Sequence, residues 1–404
     1  MSRWFVTLMI CLLLPQSRAA DWRQFRGRLT DSVAVGQSLP TELSQSVVAW
    51  QSELPGRGLS GPIVVGEQVV ITASSGYHDD RLHIISLDTA TGSQEWERRF
   101  QATGRTSTHP SMCVATPTPA SDGERIYAFY SSNDLICTDM QGNLQWYRGL
   151  GDEFPNASNS LGMSSSPIVI GTTVIAQAES EAESFVIGVE KSSGETKWIL
   201  DRPRKSNWSS PAVLPTDGGR SALVLLQSAA GLTAVDPKTG TILWSYQDEA
   251  SRIPSSTVSD GMIIMPSSSN GLNILQASTD GTSYTLVRSA RNARPARPSP
   301  LVADGMIYSV NSSGVLSAAS LDTGERLWQM RLDGQFSSTP LASNGHLFFF
   351  SETGMATVVR PTEETGTIVS QLDLTEKIQC SPAAANHALY VRSDAHLWKF
   401  AKRD

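Results

Sequence analysis

A phrase that ends on tryptophan recurs along this chain and limits what it can fold into. It reads SLDTATGSQEW at 86–96, AVDPKTGTILW at 234–244 and SLDTGERLW at 320–328. The gaps between equivalent tryptophans are 46, 50, 52, 46 and 84 residues, and the last equals two steps of 42. Such a period is typical of a repeat array or a propeller and argues against several unrelated domains. The six tryptophans are Trp50, Trp96, Trp146, Trp198, Trp244 and Trp328.

Two further copies lack the tryptophan, and a second phrase interleaves with the first. The missing tryptophans fall near Leu286 and near 368–369. The second phrase, exemplified by SSPIVIGTTVIA, occurs eight times and begins with small residues before an apolar run. Each unit divides into four short strands separated by turns, which is the content of one propeller blade.

The two ends of the chain predict how the ring closes. VVAWQSEL at 47–54 is a fourth strand with no preceding three, and the last unit has three strands and no fourth. Pairing them completes an eighth blade and removes two exposed strand edges. The sequence therefore predicts an all-β fold: an eight-bladed β-propeller of four-stranded antiparallel blades, closed by an N-terminal strand completing the last blade. We expect no helix longer than about two turns.

The repeated residues have a mechanical interpretation. Asp88 and Asp236 can accept backbone N–H bonds in a turn, and the following glycine suits a left-handed conformation. We expect that conformation at Gly92, Gly194, Gly240 and Gly324. The tryptophans lie on outer strands, where each ring can bury roughly 150–250 Å² against the next blade. We interpret the six as blade-docking residues.

The recurring pattern A-x-D-x-x-T-G-x-x-x-W resembles the repeat of PQQ-like β-propellers. These include quinoprotein alcohol dehydrogenases and the propeller lipoprotein of the outer-membrane β-barrel assembly machinery. The resemblance extends from about Val47 to Phe400, with Asp322, Gly324 and Trp328 forming a shortened copy. The opening DWRQFRG at 21–27 resembles the start of mature secreted PQQ-like propeller proteins.

The N-terminal residues predict export. Arg3 precedes a ten-residue apolar stretch that is too short to span a bilayer, and small residues follow at 17 and 19. We expect a signal peptide at 1–19, an extension at 20–46 and the propeller at 47–404, in the periplasm or outside the cell. A retained anchor is the alternative. The mature chain has no further apolar stretch of transmembrane length, and its three cysteines suit buried thiols: Cys113, Cys137 and Cys380.

The resemblance raises the question of a quinone cofactor. Quinoprotein dehydrogenases carry adjacent cysteines, a tryptophan floor and a calcium or lanthanide site of Glu, Asn and Asp. No two cysteines are adjacent here, and the tryptophans are assigned to blade docking. We therefore predict no PQQ, no metal site and no catalytic residue. A PQQ- or metal-dependent quinoprotein dehydrogenase remains the alternative function.

Long links between blades are the candidate binding elements, because function is concentrated on loops that a rigid scaffold positions. The links at 101–113 and 151–165 cross toward one mouth of the channel, and RSARNARPARP at 288–298 reaches the same face. We expect these and neighbouring residues to form a funnel, with the last three arginines attracting an acidic segment or ligand. The candidates are Arg105, His109, Asn159, Trp208, Arg291, Arg294 and Arg297.

The amino-acid composition limits the kinds of partner that this chain can bind. The net charge is −7 and no basic run occurs, so we expect no nucleic-acid binding. We predict a monomeric, non-catalytic propeller that binds or scaffolds another protein of the cell envelope, as in outer-membrane assembly. A glycan-binding propeller is a further alternative.

Overall fold

Eight antiparallel sheets arranged as a ring confirm the predicted fold class. The computed structural model describes residues 21–158 and 161–402, and within them the backbone forms thirty-two strands in eight four-stranded sheets. The first strands of neighbouring blades contact one another and are therefore innermost.

Blades are numbered by their first strands in chain order, from the innermost strand outward. Blade 1 contains β2 (Ile63–Val65), β3 (Gln68–Ser75), β4 (Arg81–Asp88) and β5 (Gln94–Gln101). Blade 2 contains β6 (Ala120–Ser121), β7 (Arg125–Phe129), β8 (Asp134–Asp139) and β9 (Leu144–Gly149). Blade 3 contains β10 (Ile168–Ile170), β11 (Thr173–Glu179), β12 (Ser184–Glu190) and β13 (Thr196–Asp201). Blade 4 contains β14 (Ala212–Thr216), β15 (Ser221–Ser228), β16 (Gly231–Val235) and β17 (Ile242–Gln247).

The second half of the ring repeats this order. Blade 5 contains β18 (Thr257–Ser259), β19 (Met262–Ser267), β20 (Gly271–Ala277) and β21 (Tyr284–Ala290). Blade 6 contains β22 (Leu301–Ala303), β23 (Met306–Val310), β24 (Val315–Ser320) and β25 (Arg326–Arg331). Blade 7 contains β26 (Leu341–Ser343), β27 (His346–Phe350), β28 (Met355–Pro361) and β29 (Gly366–Asp373). Blade 8 contains β30 (Ala383–Ala385), β31 (Ala388–Arg392), β32 (His396–Ala401) and, as its outer strand, β1 (Val48–Glu53).

The ends of the chain close the ring as the sequence predicts. β1 pairs antiparallel with β32, from Val48 opposite Phe400 to Glu53 opposite His396. Helical structure among the described residues is limited to α1 (Leu150–Glu153) and 3-10 turns at Gln45–Val47 and Asp217–Gly219. None of these described helices is long and apolar enough to cross a membrane.

Each of the six repeat tryptophans contacts the turn between the third and fourth strands of the following blade. The Trp198 indole N–H donates to the Pro237 carbonyl at 3.0 Å, and its ring lies on Gly240. Gly240 has φ +74°, so it shapes the turn and also leaves room for the ring. The corresponding indole bonds of 2.8–3.1 Å reach Thr89, Met140, Lys191, Gly281 and Thr362 from Trp50, Trp96, Trp146, Trp244 and Trp328.

The two positions that replace tryptophan differ from those expected near Leu286 and 368–369. In blades 1 to 4 and 6, the tryptophan lies opposite the residue just before a β-bulge. The same place is taken here by Arg288, opposite Ile274, and by Ser370, opposite Val358. The Arg288 guanidinium donates to the Leu321 carbonyl at 3.0 Å, as an indole does elsewhere. Ser370 instead donates to the Thr41 carbonyl at 2.7 Å. Blade 8 has no hairpin between its last two strands, because they come from opposite ends of the chain, and the N-terminal extension fills that junction.

The turn phrase works as expected in two copies and differently in the shortened one. The Asp88 carboxylate accepts the Thr91 N–H at 2.7 Å, and the Asp236 carboxylate accepts the Lys238 N–H at 2.7 Å. In the shortened copy the turn begins at Ser320, whose carbonyl accepts the Gly324 N–H at 2.9 Å. The Ser320 hydroxyl therefore takes the place of the aspartate, which the sequence pattern had assigned to Asp322.

The N-terminal extension lies across one end of the axial channel. Trp22 exchanges backbone hydrogen bonds with Val64 in blade 1, and Ala34 donates to Ala342 in blade 7. Between them, Gln24 and Thr30 accept the backbone N–H groups of inner-strand residues in blades 3 and 4. These contacts lie where the first strands end, so residues 21–43 form a plug that closes this end of the channel.

A buried arginine anchors the plug. The Arg26 guanidinium donates to the Ser256 carbonyl at 3.0 Å and to the Pro300 carbonyl at 3.2 Å, and it also contacts Thr257. Burial lowers the pKa of Arg26 to about 10, although the nearby Asp31 opposes that change. The charge is stable inside the protein because carbonyl and hydroxyl oxygens replace its water.

Cys113, Cys137 and Cys380 are buried and unpaired, as expected. Burial raises the pKa of Cys137 and of Cys380 to about 12, so both remain thiols near neutral pH.

The docking of blades through a glycine turn can be tested by Gly240→Ala. We expect it to lower the free energy of unfolding by about 3 kcal/mol, because the new Cβ would lie 2.7 Å from the Trp198 ring and φ is positive. Gly171→Ala is the matched control, with φ +60° and no atom within 4 Å of its Cβ, and should cost about 1 kcal/mol. Urea denaturation followed by fluorescence measures both, and equal losses would contradict the docking role.

The plug can be tested by Arg26→Met, which keeps the apolar stem and removes the donors. We expect a loss of about 3 kcal/mol and faster proteolysis within residues 21–43, because the buried carbonyls lose their partner. Arg28→Met changes an exposed arginine of the same segment and should leave both measurements unchanged. Retention of wild-type stability and protease resistance by Arg26→Met would show that the plug does not depend on this anchor.

Candidate functional site

Small hydroxyl residues just before the innermost strands form a chain of hydrogen bonds around the channel. In each hydrogen bond, a backbone N–H of one blade donates to a side-chain hydroxyl of the next blade. We call this set the hydroxyl chain: Gly61 to Thr118 (2.9 Å), Thr118 to Ser166 (3.0 Å), Ser166 to Ser210, Ser210 to Ser255 and Ser255 to Ser299 (2.9 Å each), Ser299 to Thr339 (3.1 Å) and Thr339 to Ser381 (3.0 Å).

The hydroxyl chain explains the small residues that open each repeat. The sequence indicated a crowded place but gave no hydrogen-bond partner, because each partner lies one blade, or 40 to 57 residues, away. A hydrogen bond from the Ser381 N–H to a hydroxyl at residue 61 is absent, because Gly61 has no side chain. A Cβ at Gly61 would lie 2.8 Å from the Ser381 carbonyl oxygen, so the backbones meet directly there.

A cavity of about 360 Å³ lies inside the hydroxyl chain, at the end of the channel where the first strands begin. Its walls include the seven hydroxyl residues, and Phe25 of the plug lines it from within. Leu161, Trp208 and Ile253 contribute apolar side chains on the links. The plug closes the opposite end, so this axial cavity opens on one face only.

Three of the seven candidate residues come together at the axial cavity. His109, Trp208 and Arg297 line it. Arg105 and Arg291 are exposed and do not line it, and Arg294 donates to the Ser269 carbonyl at 2.8 Å away from the lining. Asn159 lies outside the described residues. The structure therefore places one of the last three arginines at the cavity rather than all three.

Local hydrogen bonds fix His109 and Trp208. The His109 Nδ1 accepts the Ser111 N–H at 3.2 Å, so the neutral ring carries its proton on Nε2. The Trp208 indole N–H donates to the Gly162 carbonyl at 2.7 Å, and its backbone N–H donates to Arg252. Both residues thus lie on links that the rest of the ring holds in place.

Arg297 is part of a small ionic group beside the cavity. Its Nη1 lies 2.8 Å from the Glu352 carboxylate, which also contacts Lys377 at 3.3 Å and the Ser337 hydroxyl at 2.6 Å. Burial works against the Glu352 charge, but the Ser337 hydroxyl and the two cations outweigh it and lower its pKa. Two cations share one carboxylate, so the group carries a net positive charge.

The resemblance to quinoprotein dehydrogenases raises the question of a quinone site with a metal ion. The residues around the cavity do not fit such a site. No Asp, Glu or Cys is among the lining residues, so the cavity offers no carboxylate for a calcium or lanthanide ion. Within the described ranges, no group of three His, Cys, Asp or Glu side chains is placed to hold a metal. No reaction step through a quinone is therefore derived for this chain.

Comparisons with known proteins agree with the fold. A family model described as outer membrane protein assembly factor BamB matches overlapping segments at residues 41–181, 114–329, 254–369 and 312–404. A curated protein of that description from Moranella endobia (strain PCIT) is 24% identical over 190 residues, or 42% of this chain. That match spans 48% of the relative, about half of its length.

Solved structures show the same architecture at low identity. BamB from Moraxella catarrhalis superposes with a TM-score of 0.63 at 18% identity, covering 88% of this chain and 97% of that one. A europium-containing methanol dehydrogenase gives 0.69 at 12% identity, with 95% and 98% covered. A quinohemoprotein alcohol dehydrogenase from Comamonas testosteroni gives 0.69 at 14% identity, with 95% and 81% covered. At these identities the likeness concerns the fold alone.

A buried ion pair supports the link that carries Trp208. Arg202 Nε lies 2.7 Å from the Glu179 carboxylate, and the Asn207 backbone pairs with Glu179. Burial raises the pKa of Glu179 from its ordinary value of 4.5 to about 7, while Arg202 acts in the opposite direction. The folded state therefore holds this proton more tightly than the unfolded chain does.

This shift predicts a pH dependence of stability. Protonation of Glu179 stabilises the folded state fully below about pH 4.5, and this stabilisation is lost as the pH rises through 7. The free energy of unfolding should fall by about 3 kcal/mol over this range. Glu179→Gln should remove that part of the slope between pH 5 and 8, measured as the free energy of unfolding by urea. Glu195→Gln, at an exposed site in the same blade, is the control. A wild-type slope in the Glu179→Gln variant would contradict the assignment.

Proposed function

Because this chain belongs to the family described as outer membrane protein assembly factor BamB, we propose that it is an exported, non-catalytic scaffold that binds another protein of the cell envelope. The family model covers most of the propeller. Of two proteins with the same description, one matches 42% of the chain in sequence and the other superposes on 88% of it. We place the protein in the periplasm or outside the cell, with residues 1–19 as the export signal.

The single observation that carries the proposal is the apolar rim of the axial cavity. Leu161 and Ile253 are 42% and 46% exposed, and both line the same opening as Trp208. Large apolar side chains exposed together on a fixed surface favour protein contact, and tryptophan is enriched at the centres of such interfaces. We propose that a partner segment with apolar side chains binds across this rim.

The non-catalytic part of the proposal is supported by the same lining. His109 and Arg297 are its ionisable side chains, and His109 Nδ1 is occupied by the Ser111 backbone. General acid–base catalysis usually pairs two titratable groups within hydrogen-bond reach of a substrate. A rigid surface that presents apolar side chains is better suited to binding.

The rim can be tested by capture of envelope proteins with cross-linking. The double variant Leu161→Ser and Ile253→Ser should capture at least fivefold less of the specific partner than the wild type, because the apolar contact is removed. The control Leu144→Ser and Ile242→Ser makes the same change at two exposed positions, each 52% exposed, on outer strands β9 and β17. It should capture the partner as the wild type does.

Two results would overturn this proposal. One is equal capture by the rim and control variants, which would place the partner elsewhere. The other is enzymatic: a quinone absorbance spectrum after addition of PQQ and calcium, together with dye-linked alcohol oxidation, would identify a dehydrogenase.

A further inference from the structure

We propose that the axial cavity binds an organic carboxylate with an apolar body, without a metal ion. The carboxylate would be held by donors of the hydroxyl chain and the rim, and the apolar body by the floor and the links. This site lies inside the rim that we propose for a protein partner, and its occupancy does not depend on that partner.

The wall of the axial cavity has hydroxyl protons that are free to be donated to a ligand. Each hydroxyl oxygen of the chain accepts one backbone N–H, and a hydroxyl has one proton of its own. Among the described residues, none of these seven hydroxyls donates that proton to a protein acceptor. Ser166, Ser255 and Ser299 are each only 3% exposed, so their donors are screened from bulk water while lining the cavity. Buried donors without acceptors favour a ligand that brings oxygen atoms.

The charge at the opening of the cavity favours an anionic ligand. The Arg297 guanidinium uses Nη1 for its contacts with Glu352 and Ser337. Its Nε and Nη2 groups have no hydrogen-bond partner among the described residues. His109 adds an Nε2–H donor at the same opening. No Asp or Glu is among the lining residues, and the Glu352 carboxylate beside the cavity is already shared by Arg297 and Lys377. The positive charge that remains attracts an anion, and charge-assisted hydrogen bonds are the stronger ones.

The size and polarity of the cavity limit the ligand to a small, partly apolar molecule. A volume of about 360 Å³ lies at the small end of the roughly 300–1,000 Å³ that is typical of small-molecule sites. Phe25, Leu59 and Met112 supply apolar surface beside the hydroxyls. The cavity therefore suits one carboxylate joined to a compact apolar group. Two sources share that chemistry, namely a free aryl or alkyl acid and the C-terminus of a peptide that ends in an apolar residue.

The direct test is calorimetric titration of the purified full chain with 3-phenylpropionate and with its primary amide. We expect the acid to bind and the amide to bind at least tenfold more weakly, since it lacks the charge. A second pair, the peptide Gly-Gly-Phe with a free or an amidated C-terminus, distinguishes the sources. Binding of the free acid alone indicates a small-molecule ligand, and equal or tighter binding of the free peptide indicates a chain terminus.

Three variants locate the site. Arg297→Gln should weaken binding of 3-phenylpropionate at least fivefold, and Phe25→Trp should abolish it by filling the cavity from the plug. Arg294→Gln is the matched control, because this arginine comes from the same link but does not line the cavity. Unfolding midpoints within 2 °C of the wild type would show that each variant is folded.

The proposal is overturned if the acid and the amide bind equally, if neither acid of the two pairs binds, or if Phe25→Trp leaves the affinity unchanged. These measurements use no envelope partner, so their failure leaves the rim proposal intact, and failure of partner capture leaves this one intact.

Discussion

The contact between an outer-strand tryptophan and the next blade's turn is the interaction on which the ring depends. The backbone hydrogen bonds between strands stop at the edge of each sheet, so neighbouring blades are joined by these indole contacts and, near the axis, by the hydroxyl chain. A buried indole contributes about 4–6 kcal/mol by area before conformational entropy is subtracted. Under four of the rings, at Gly92, Gly142, Gly194 and Gly240, the glycine has a positive φ for its own hairpin and leaves no Cβ in the way of the neighbour's ring. One residue thus satisfies a local and an intersheet requirement, which is why glycine and tryptophan recur at the same interval.

Those paired requirements also decide how much could be predicted from the sequence. The number of blades, the closing strand and the docking role of Trp244 follow from spacing and periodicity, because they repeat. Arg288 and Ser370 could not be placed, because neither is aromatic and the repeat interval is uneven: it is 44 residues from Trp244 to Arg288 and 40 from Arg288 to Trp328. Ser320 was missed because a serine replaces the aspartate of a turn of unchanged length, while the nearby Asp322 resembles the aspartate of the pattern.

The candidate site was less accessible to sequence reasoning than the fold. The links and three of their residues, His109, Trp208 and Arg297, were identified because long loops interrupt the repeat. The floor of the cavity was not identified, because nothing in residues 21–27 predicts that Phe25 lies beneath residues from the far end of the chain. The hydroxyl chain was visible only as a preference for small residues, since its bonds join positions on different blades. Non-local contacts of this kind leave no periodic signal within one repeat.

The plug has a consequence for how the chain reaches this structure. Its contacts include the Ser38 N–H with His387, across 349 residues. Further along the chain, β1 pairs with β32 and also joins the two ends. Bringing such distant segments together costs loop-closure entropy before any contact repays it, so topologies of this kind fold slowly. Blades 1 to 7 each consist of four consecutive strands, whereas blade 8 combines strands from both ends of the chain and also contacts Gln37 and Ser38 of the plug. We expect closure of the ring and seating of the plug on blade 8 to follow the formation of the local hairpins.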